Sequence, residues 1–277
     1  AQYGGAVHIH TSHFNSTGDV FRYNRADLYG GGLYFEAHGS CTFDPVNKSN
    51  IYLNYAGAAG LDLFYTGNMA NIKHVVVDTF TVQYLNKHFV YPMQSFTISL
   101  SNHVVDQITG DLYVSPTGSD SNTGTSPSSP LKTMHMACMK IWAEETSPRS
   151  IHLAPGTYSE GATGEVFPVN WRSYVSLKGA GIDESIIDGE DKNHLLFCYD
   201  DTGFAIDSVT FRGGYGLHGG AIRLEEGSSP AISNVLVTEN HETKTGGGIY
   251  CKESSPYIYD ATISHNYAHE YGGGIMA

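Results

Sequence analysis

The chain has 277 residues and a net charge of −13, set by 28 acidic against 15 basic side chains. With so few lysines and arginines, and no basic cluster, nucleic acid and anionic membrane surfaces are excluded as expected partners. The length allows two domains, no apolar run reaches the length of a membrane span, and no signal peptide is visible.

From the N-terminus, Gly4-Gly5-Ala6-Val7 is answered by Gly30-Gly31-Gly32-Leu33, the first sign of a repeat. After each cluster apolar and polar positions alternate: Val7 and Ile9 against His8 and His10, then Leu33 and Phe35 against Tyr34. Period two with one apolar side is a strand with one buried face. The chain opens on Ala1 beside one glycine cluster and closes soon after another, which reads as a piece of a longer array. Residues 1–66 are expected to be the C-terminal part of a first β-helix, although the glycine beat lapses after Phe35 and only residues 51–55 suggest a further strand. Residues 67–110 carry two strand-like runs, 75–82 and 96–100, without coil landmarks, and read as a bridging β-segment.

Residues 111–277 are expected to form a second parallel β-helix. Leu131, Met134, Ala137, Cys138, Ile141 and Trp142 recur at three and four residues, predicting an amphipathic helix over 131–145 with Pro130 near its first turn. Its expected task is to lid the first coil, whose unpaired strand edges would otherwise recruit other chains. Further on, Gly219-Gly220-Ala221-Ile222, Gly246-Gly247-Gly248-Ile249 and Gly272-Gly273-Gly274-Ile275 return at a nearly constant interval, the same as at the N-terminus. Ser228-Ser229-Pro230 recurs as Ser254-Ser255-Pro256, and Asn240 as Asn266. Self-similarity at this period marks a solenoid.

A repeat rich in Val, Ile, Thr, Tyr and Gly is not a helical pair. Ile206, Ile232 and Ile258 form one column, Val209/Phe211, Val235/Val237 and Ala261/Ile263 a second, and the residues after the glycines a third. Ser208, Asn234 and Asp260 suit one bend, Asn240 and Asn266 (tolerant of left-handed backbone) the next, and the glycines the last. The predicted fold class is all-β: a right-handed parallel β-helix of three-strand coils of about 26 residues, stacked ~4.8 Å apart. A leucine-rich-repeat horseshoe would need the Leu-x-x-Leu-x-Leu signature, which is missing. Cys198 and Cys251 flank Leu224 in one inward column, ~9–10 Å apart and beyond the ~7 Å reach of a disulfide. All four cysteines read as core thiols.

The same register stacks Asp200, Glu226 and Glu253 as candidate metal ligands, hard oxygens suited to Ca²⁺, with Arg223 or Lys252 as a neighbouring base for a lyase. The competing reading is a column of solvated acids, with Glu225 and Lys252 pairing across adjacent coils. His8 and His10 share one strand face, with His13 just beyond, a pattern able to ligate a transition metal. A wet surface strand in a His-rich chain is the plainer account. Among the 19 tyrosines, Tyr34, Tyr250, Tyr215, Tyr267 and Tyr271 are expected to face solvent, where rings with polar tips suit sugar or protein surfaces. Tyr34, Arg223 and Tyr250 are the expected binding residues, and no complete catalytic set is present.

Tyr113-Val114-Ser115-Pro116, with Gly118, Asp120-Ser121, Gly124 and Ser126-Pro127, then Pro130-Leu131-Lys132-Thr133, resembles the opening of many secreted pectin-lyase-like β-helix proteins. Ile151, Leu153 to Tyr158, Glu165-Val166-Phe167-Pro168 and Lys178-Gly179-Ala180-Gly181 extend the likeness, which is to the bacterial domain of unknown function that begins such proteins. The glycine–isoleucine and Asn repeats also resemble those of polymorphic outer-membrane proteins, which are surface adhesins. Asp200-Asp201 and His218 resemble fragments of polygalacturonase motifs but lack the remaining acids and the basic partner, so they read as loop residues. The resemblance implies a β-helix, secretion or an outer-surface location, and carbohydrate contact. It brings no catalytic residue, because the matched motifs are loops, corners and the lid.

The expectation is therefore a secreted or cell-surface β-helix scaffold, non-catalytic, adhesin-like or carbohydrate-contacting. Its expected partner is a polysaccharide or a host or neighbouring-cell surface, with no cofactor other than Ca²⁺ on the acidic column. The alternative is a polysaccharide lyase or glycoside hydrolase acting on acidic glycans with Ca²⁺.

Overall fold

The structure is a computed structural model that describes residues 1–68 and 71–277. The chain forms two compact units, Ala1–Gln107 and Ile108–Ala277. Both are built from stacked parallel strands, and the fold is an all-β parallel solenoid of about ten turns. No helix among the described residues is long and apolar enough to cross a membrane.

In the second unit one sheet runs Leu112–Val114, Arg149–Leu153, Val175–Lys178, Ala205–Asp207, Ala231–Ser233 and Tyr257–Tyr259. A second contains Gly156–Tyr158, Ser185–Asp188, Thr210–Arg212, Leu236–Thr238 and Thr262–Ser264. The third contains Val169–Asn170, Leu196–Tyr199, Ile222–Glu225, Ile249–Lys252 and Ile275–Met276. The columns read from the sequence are the observed registers: Ile206, Ile232 and Ile258 face one another, as do Phe211, Val237 and Ile263. Ile222 pairs with Ile249 and Ile249 with Ile275. The first two are fully buried, and Ile275 is 40 % exposed. Cys198, Leu224 and Cys251 are likewise in register, and all four cysteines are free. Cys41 departs from the core-thiol expectation by being only half-buried, on a strand face that alternates with solvent.

The later coils carry a further short sheet between the second and third, Tyr215–His218, His241–Thr245 and Tyr267–Ala268. It presents a fourth flank to solvent.

The corners show where the sequence logic holds and where it slips by one residue. Ser208, Asn234 and Asp260 have φ of 59°, 49° and 48°, the left-handed bend expected of them. At the next corner the left-handed residues are Glu239 and His265, both at φ 55°, rather than Asn240 and Asn266. The asparagines turn inward instead. Asn240 Oδ1 accepts from the Gly214 N–H at 2.8 Å, and its amide donates to the carbonyls of Phe211 and Thr238 and to Asn266 Oδ1. Asn24 and Asn54 repeat the device in the first unit, each preceded by a left-handed residue, Tyr23 or Leu53. The glycine corner needs glycine twice over. Gly246 has φ 72°, and a Cβ on Gly247 would lie 2.4 Å from the carbonyl oxygens of Gly273 and Tyr267.

The helix exists but is shorter than 131–145. It spans Met134–Lys140 (α1), because Thr133 caps it and Ile141 is already extended. Ile141 instead bridges to Ile108 as a strand residue. Met134, Ala137, Cys138 and Met139 are buried, and the first three pack into the apolar core of this unit. The next coil clamps both ends. Glu165, 2 % exposed, accepts from the Met134 and His135 N–H groups at 2.7 and 2.9 Å. Arg172, 7 % exposed, donates to the Cys138 carbonyl at 2.6 Å. Glu165 satisfies N–H groups left free at the first turn, and the Arg172 charge complements the C-terminal end. A one-turn helix, Glu160–Thr163 (α2), follows on Ser159, whose hydroxyl accepts from the Ala162 N–H.

In the first unit Val7–Ile9, Leu33–Phe35, Leu63–Tyr65 and Val90–Tyr91 form one sheet. The glycine beat does not lapse after Phe35; it lengthens. Leu33 pairs with Leu63, a longer step than the one from Val7 to Leu33, and Gly60-Leu61-Asp62 stands where Gly30-Gly31-Gly32 stood, with Gly60 keeping the left-handed position at φ 63°. Within residues 67–110, Lys73–Val82 pairs with Ser49–Tyr52, and Val90–Tyr91 with Leu63–Tyr65, so these strands stack on the coils before them.

Candidate functional site

The fourth flank gathers exposed rings beside a buried acid. Its register sets Tyr215 beside His241 and His241 beside Tyr267, one ring per coil. Tyr215 is 42 % and Tyr267 57 % exposed. A cleft of about 390 Å³ opens there, lined by Tyr215, His241, Glu242, Thr243, Tyr267 and His269. Strand alternation explains the arrangement: His241 points out, so Glu242 points in. Glu242 Oε1 accepts from the Thr243 N–H at 2.8 Å, while Oε2 is buried with no hydrogen-bond partner. Burial raises its carboxyl to about 7 against the opposing pull of Thr243, Lys244 and Arg223. A side chain on Gly216 would place its Cβ 3.5 Å from both Glu242 Oε2 and His194 Nδ1, so these two groups share one recess. Burial, aided by the Arg223 charge, pushes the His194 imidazole down to about 3 and keeps it neutral. A buried acid poised near neutrality in a cleft is a proton donor as readily as an acceptor.

Of the expected binding residues, Tyr34 does not face solvent as expected. It is only 6 % exposed, because its register neighbours are also rings: His8 in the coil before and Phe64 in the coil after. Phe64 stacks at 5.6 Å and His8 meets the Tyr34 ring edge-on at 4.9 Å. Arg223 is half-buried, with its guanidinium 2.7 Å from Glu225 Oε1 and 5.0 Å above the Phe197 ring. Tyr250, next in that column, is half-covered beside His218 at 5.0 Å. Tyr271 is 66 % exposed, as expected.

Asp200, Glu226 and Glu253 do occupy equivalent corners, each left-handed at φ 54°, 53° and 53°. Their carboxylates do not converge on one point. Among the described residues, the group whose ligand atoms all lie within 4.8 Å of one another is His8, His10 and Glu36. Glu225 and Lys252 are register partners across adjacent coils, and the Glu225 charge is the main one raising the Lys252 amine; the direct contact, at 3.5 Å, is to Glu226 Oε1, while Glu225 is held by Arg223. Asp201 is buried at a corner, its oxygens accepting from Ser173 and the Tyr199 N–H, and His218 shares a hydrogen bond with Thr245.

Sequence reasoning missed Glu36, Glu242 and the paired role of Glu165 and Arg172. The signal for Glu36 was its place one repeat after His10, and for Glu242 its place in the inward phase beside His241. The loop residues of the opening motif are structural. Asp120 accepts from the N–H groups of Lys132 and Thr133 and from the Thr133 hydroxyl, and the Tyr158 hydroxyl donates to the carbonyls of Val114 and Ala154.

A family model described as a protein of unknown function (DUF1565) matches residues 116–275, more than half of the chain. The chain belongs to the DUF1565 family. That match spans α1, its Glu165–Arg172 clamp and the fourth flank, so the lid and the cleft are both part of the DUF1565 region. No curated protein and no solved structure matches the chain.

Proposed function

We propose that this DUF1565 solenoid is a non-catalytic, secreted or cell-surface scaffold that contacts a polysaccharide, in an adhesin-like way, along its fourth flank. The observation that carries the reading is the Tyr215–His241–Tyr267 column, exposed rings repeated once per coil beside a cleft. Such a row matches a linear chain of sugar rings, whose apolar faces pack on aromatic rings while hydroxyls meet polar tips. The exposed hydroxyls of Tyr215 and Tyr267 and the His241 imidazole offer both donors and acceptors to sugar hydroxyls along the same row. The net charge of −13 favours a neutral glycan over a polyuronate. Two-carboxylate glycoside hydrolysis needs a pair of acids across the scissile bond, whereas the residues lining this cleft include one carboxylate.

The test is a glycan array probed with the wild type and with Tyr215→Ala/Tyr267→Ala. Binding should fall at least about tenfold in the double variant, a loss of roughly 1.4 kcal/mol, with unchanged thermal unfolding. Absence of binding to any glycan, or binding indifferent to both rings, rejects the reading. Product released from pectin or alginate in the presence of Ca²⁺, and abolished by Glu226→Ala, would replace it with the lyase alternative.

A further inference from the structure

We propose that His8, His10 and Glu36 form a binding site for a borderline divalent transition-metal ion of the zinc class. The site is built by two neighbouring coils. His8 and His10 stand on the solvent side of Val7–Ile9, and the intervening Ile9, 3 % exposed, anchors that strand in the core. In the next coil Ile9 pairs with Phe35, which is fully buried, and the Glu36 N–H donates to the Ile9 carbonyl at 2.8 Å. Glu36 is thereby registered opposite His10, with its carboxylate between the two imidazoles.

One carboxylate oxygen meets His8 Nε2 at 2.8 Å and the other meets His10 Nδ1. The two rings stand nearly perpendicular, at 82° with centroids 6.3 Å apart, so their nitrogens approach a common point from different directions. The ligand atoms of all three residues lie within 4.8 Å of one another. Two imidazoles and a carboxylate, one from a strand and two from the residues directly following paired strands, are open to water on the outer side, supply three protein ligands and leave the remaining positions to solvent. Imidazole nitrogen selects Zn²⁺, Co²⁺, Ni²⁺ or Cu²⁺ over Ca²⁺, which takes oxygen ligands. Edge-on contact with Tyr34 at 4.9 Å fixes the His8 ring, whose orientation would otherwise be lost to rotamer freedom. His13 lies outside the group, held by Ser40, Thr42 and Asn15.

Calorimetric titration of the protein with Zn²⁺ tests the site, with Co²⁺ absorption in the visible region as a second readout. One ion should bind per chain. His8→Ala, His10→Ala and Glu36→Gln should each weaken binding at least about tenfold and remove the Co²⁺ bands, whereas His13→Ala leaves both unchanged. Circular dichroism of the variants confirms that the coils remain folded. A protein that takes up no Zn²⁺, or whose affinity survives both histidine substitutions, or whose Zn²⁺ is displaced by millimolar Ca²⁺, overturns the proposal.

Discussion

Asn240 shows how one side chain can hold a coil. It is completely buried, and its amide group both accepts from the Gly214 N–H and donates to three oxygens. Asn240→Ala would orphan the buried Gly214 N–H and Phe211 carbonyl, each at a cost of about 1–3 kcal/mol. We expect a loss of roughly 2 kcal/mol or more in urea-unfolding free energy, and a change below about 0.5 kcal/mol would show that the ladder is dispensable. In the sequence Asn suits the corner itself, because it tolerates left-handed backbone, yet Glu239 and His265 adopt that conformation. Asn is needed next to the corner for its paired donor and acceptor, a demand that composition alone does not distinguish.

At the scale of elements, α1 depends on partners from both sides. The Thr133 hydroxyl accepts from the Met136 N–H and donates to Asp120, while Glu165 and Arg172 reach it from the following coil. Thr133→Ala should cost about 1 kcal/mol, the usual worth of such a cap. Asp120→Ala should cost more, since Asp120 accepts from three groups at once. Equal losses in chemical denaturation for the two variants would contradict this ordering. Strand columns were legible because period two and the repeat spacing are properties of the chain itself: Ile232 and Ile258 announce their pairing. Helix length was not, because Ile141 and Trp142 fit the helical spacing as well as they fit the bridge to Ile108 that they make. The fourth flank was equally hidden. Residues 241–245, His-Glu-Thr-Lys-Thr, carry no apolar face and bury in the order exposed, buried, exposed, exposed, buried, so the inward phase of Glu242 beside His241 is a weak signal in an all-polar strand. Tyr34 misleads for a related reason: its phase does point outward, but the rings that cover it, His8 and Phe64, come from the coils on either side.

For the molecule as a whole, protonation couples to folding through groups that burial has displaced. Asp62, Glu165 and Glu242 are each raised to about 7, chiefly by burial. The folded state therefore keeps protons that the unfolded chain releases near pH 4 to 4.5, and their contribution to stability declines as pH rises from there through 7. His194, lowered to about 3 by burial, acts in the opposite sense between pH 3 and about 6.5, because there only the unfolded chain is protonated. His218, also lowered chiefly by burial, acts in the same sense as His194, but the three carboxyls outnumber the two imidazoles, so the denaturation midpoint should be higher at pH 5 than at pH 7.5. Glu165→Gln should flatten the decline, since each pKa unit of displacement corresponds to about 1.4 kcal/mol. A midpoint that climbs steadily from pH 5 to 7.5 would refute the assignment.

The close register between coils also bears on how such a protein can change over time. Ala231 stands where Ala205 stands one level below, and Ser233 where Asp207 stands. Excising residues 205–230 would therefore splice Phe204 onto an equivalent strand start, with inward and outward positions still in phase. An in-frame genetic slip of one such unit would lower the stack by one storey without disturbing its walls, so height is a heritable quantity that selection can adjust in whole steps.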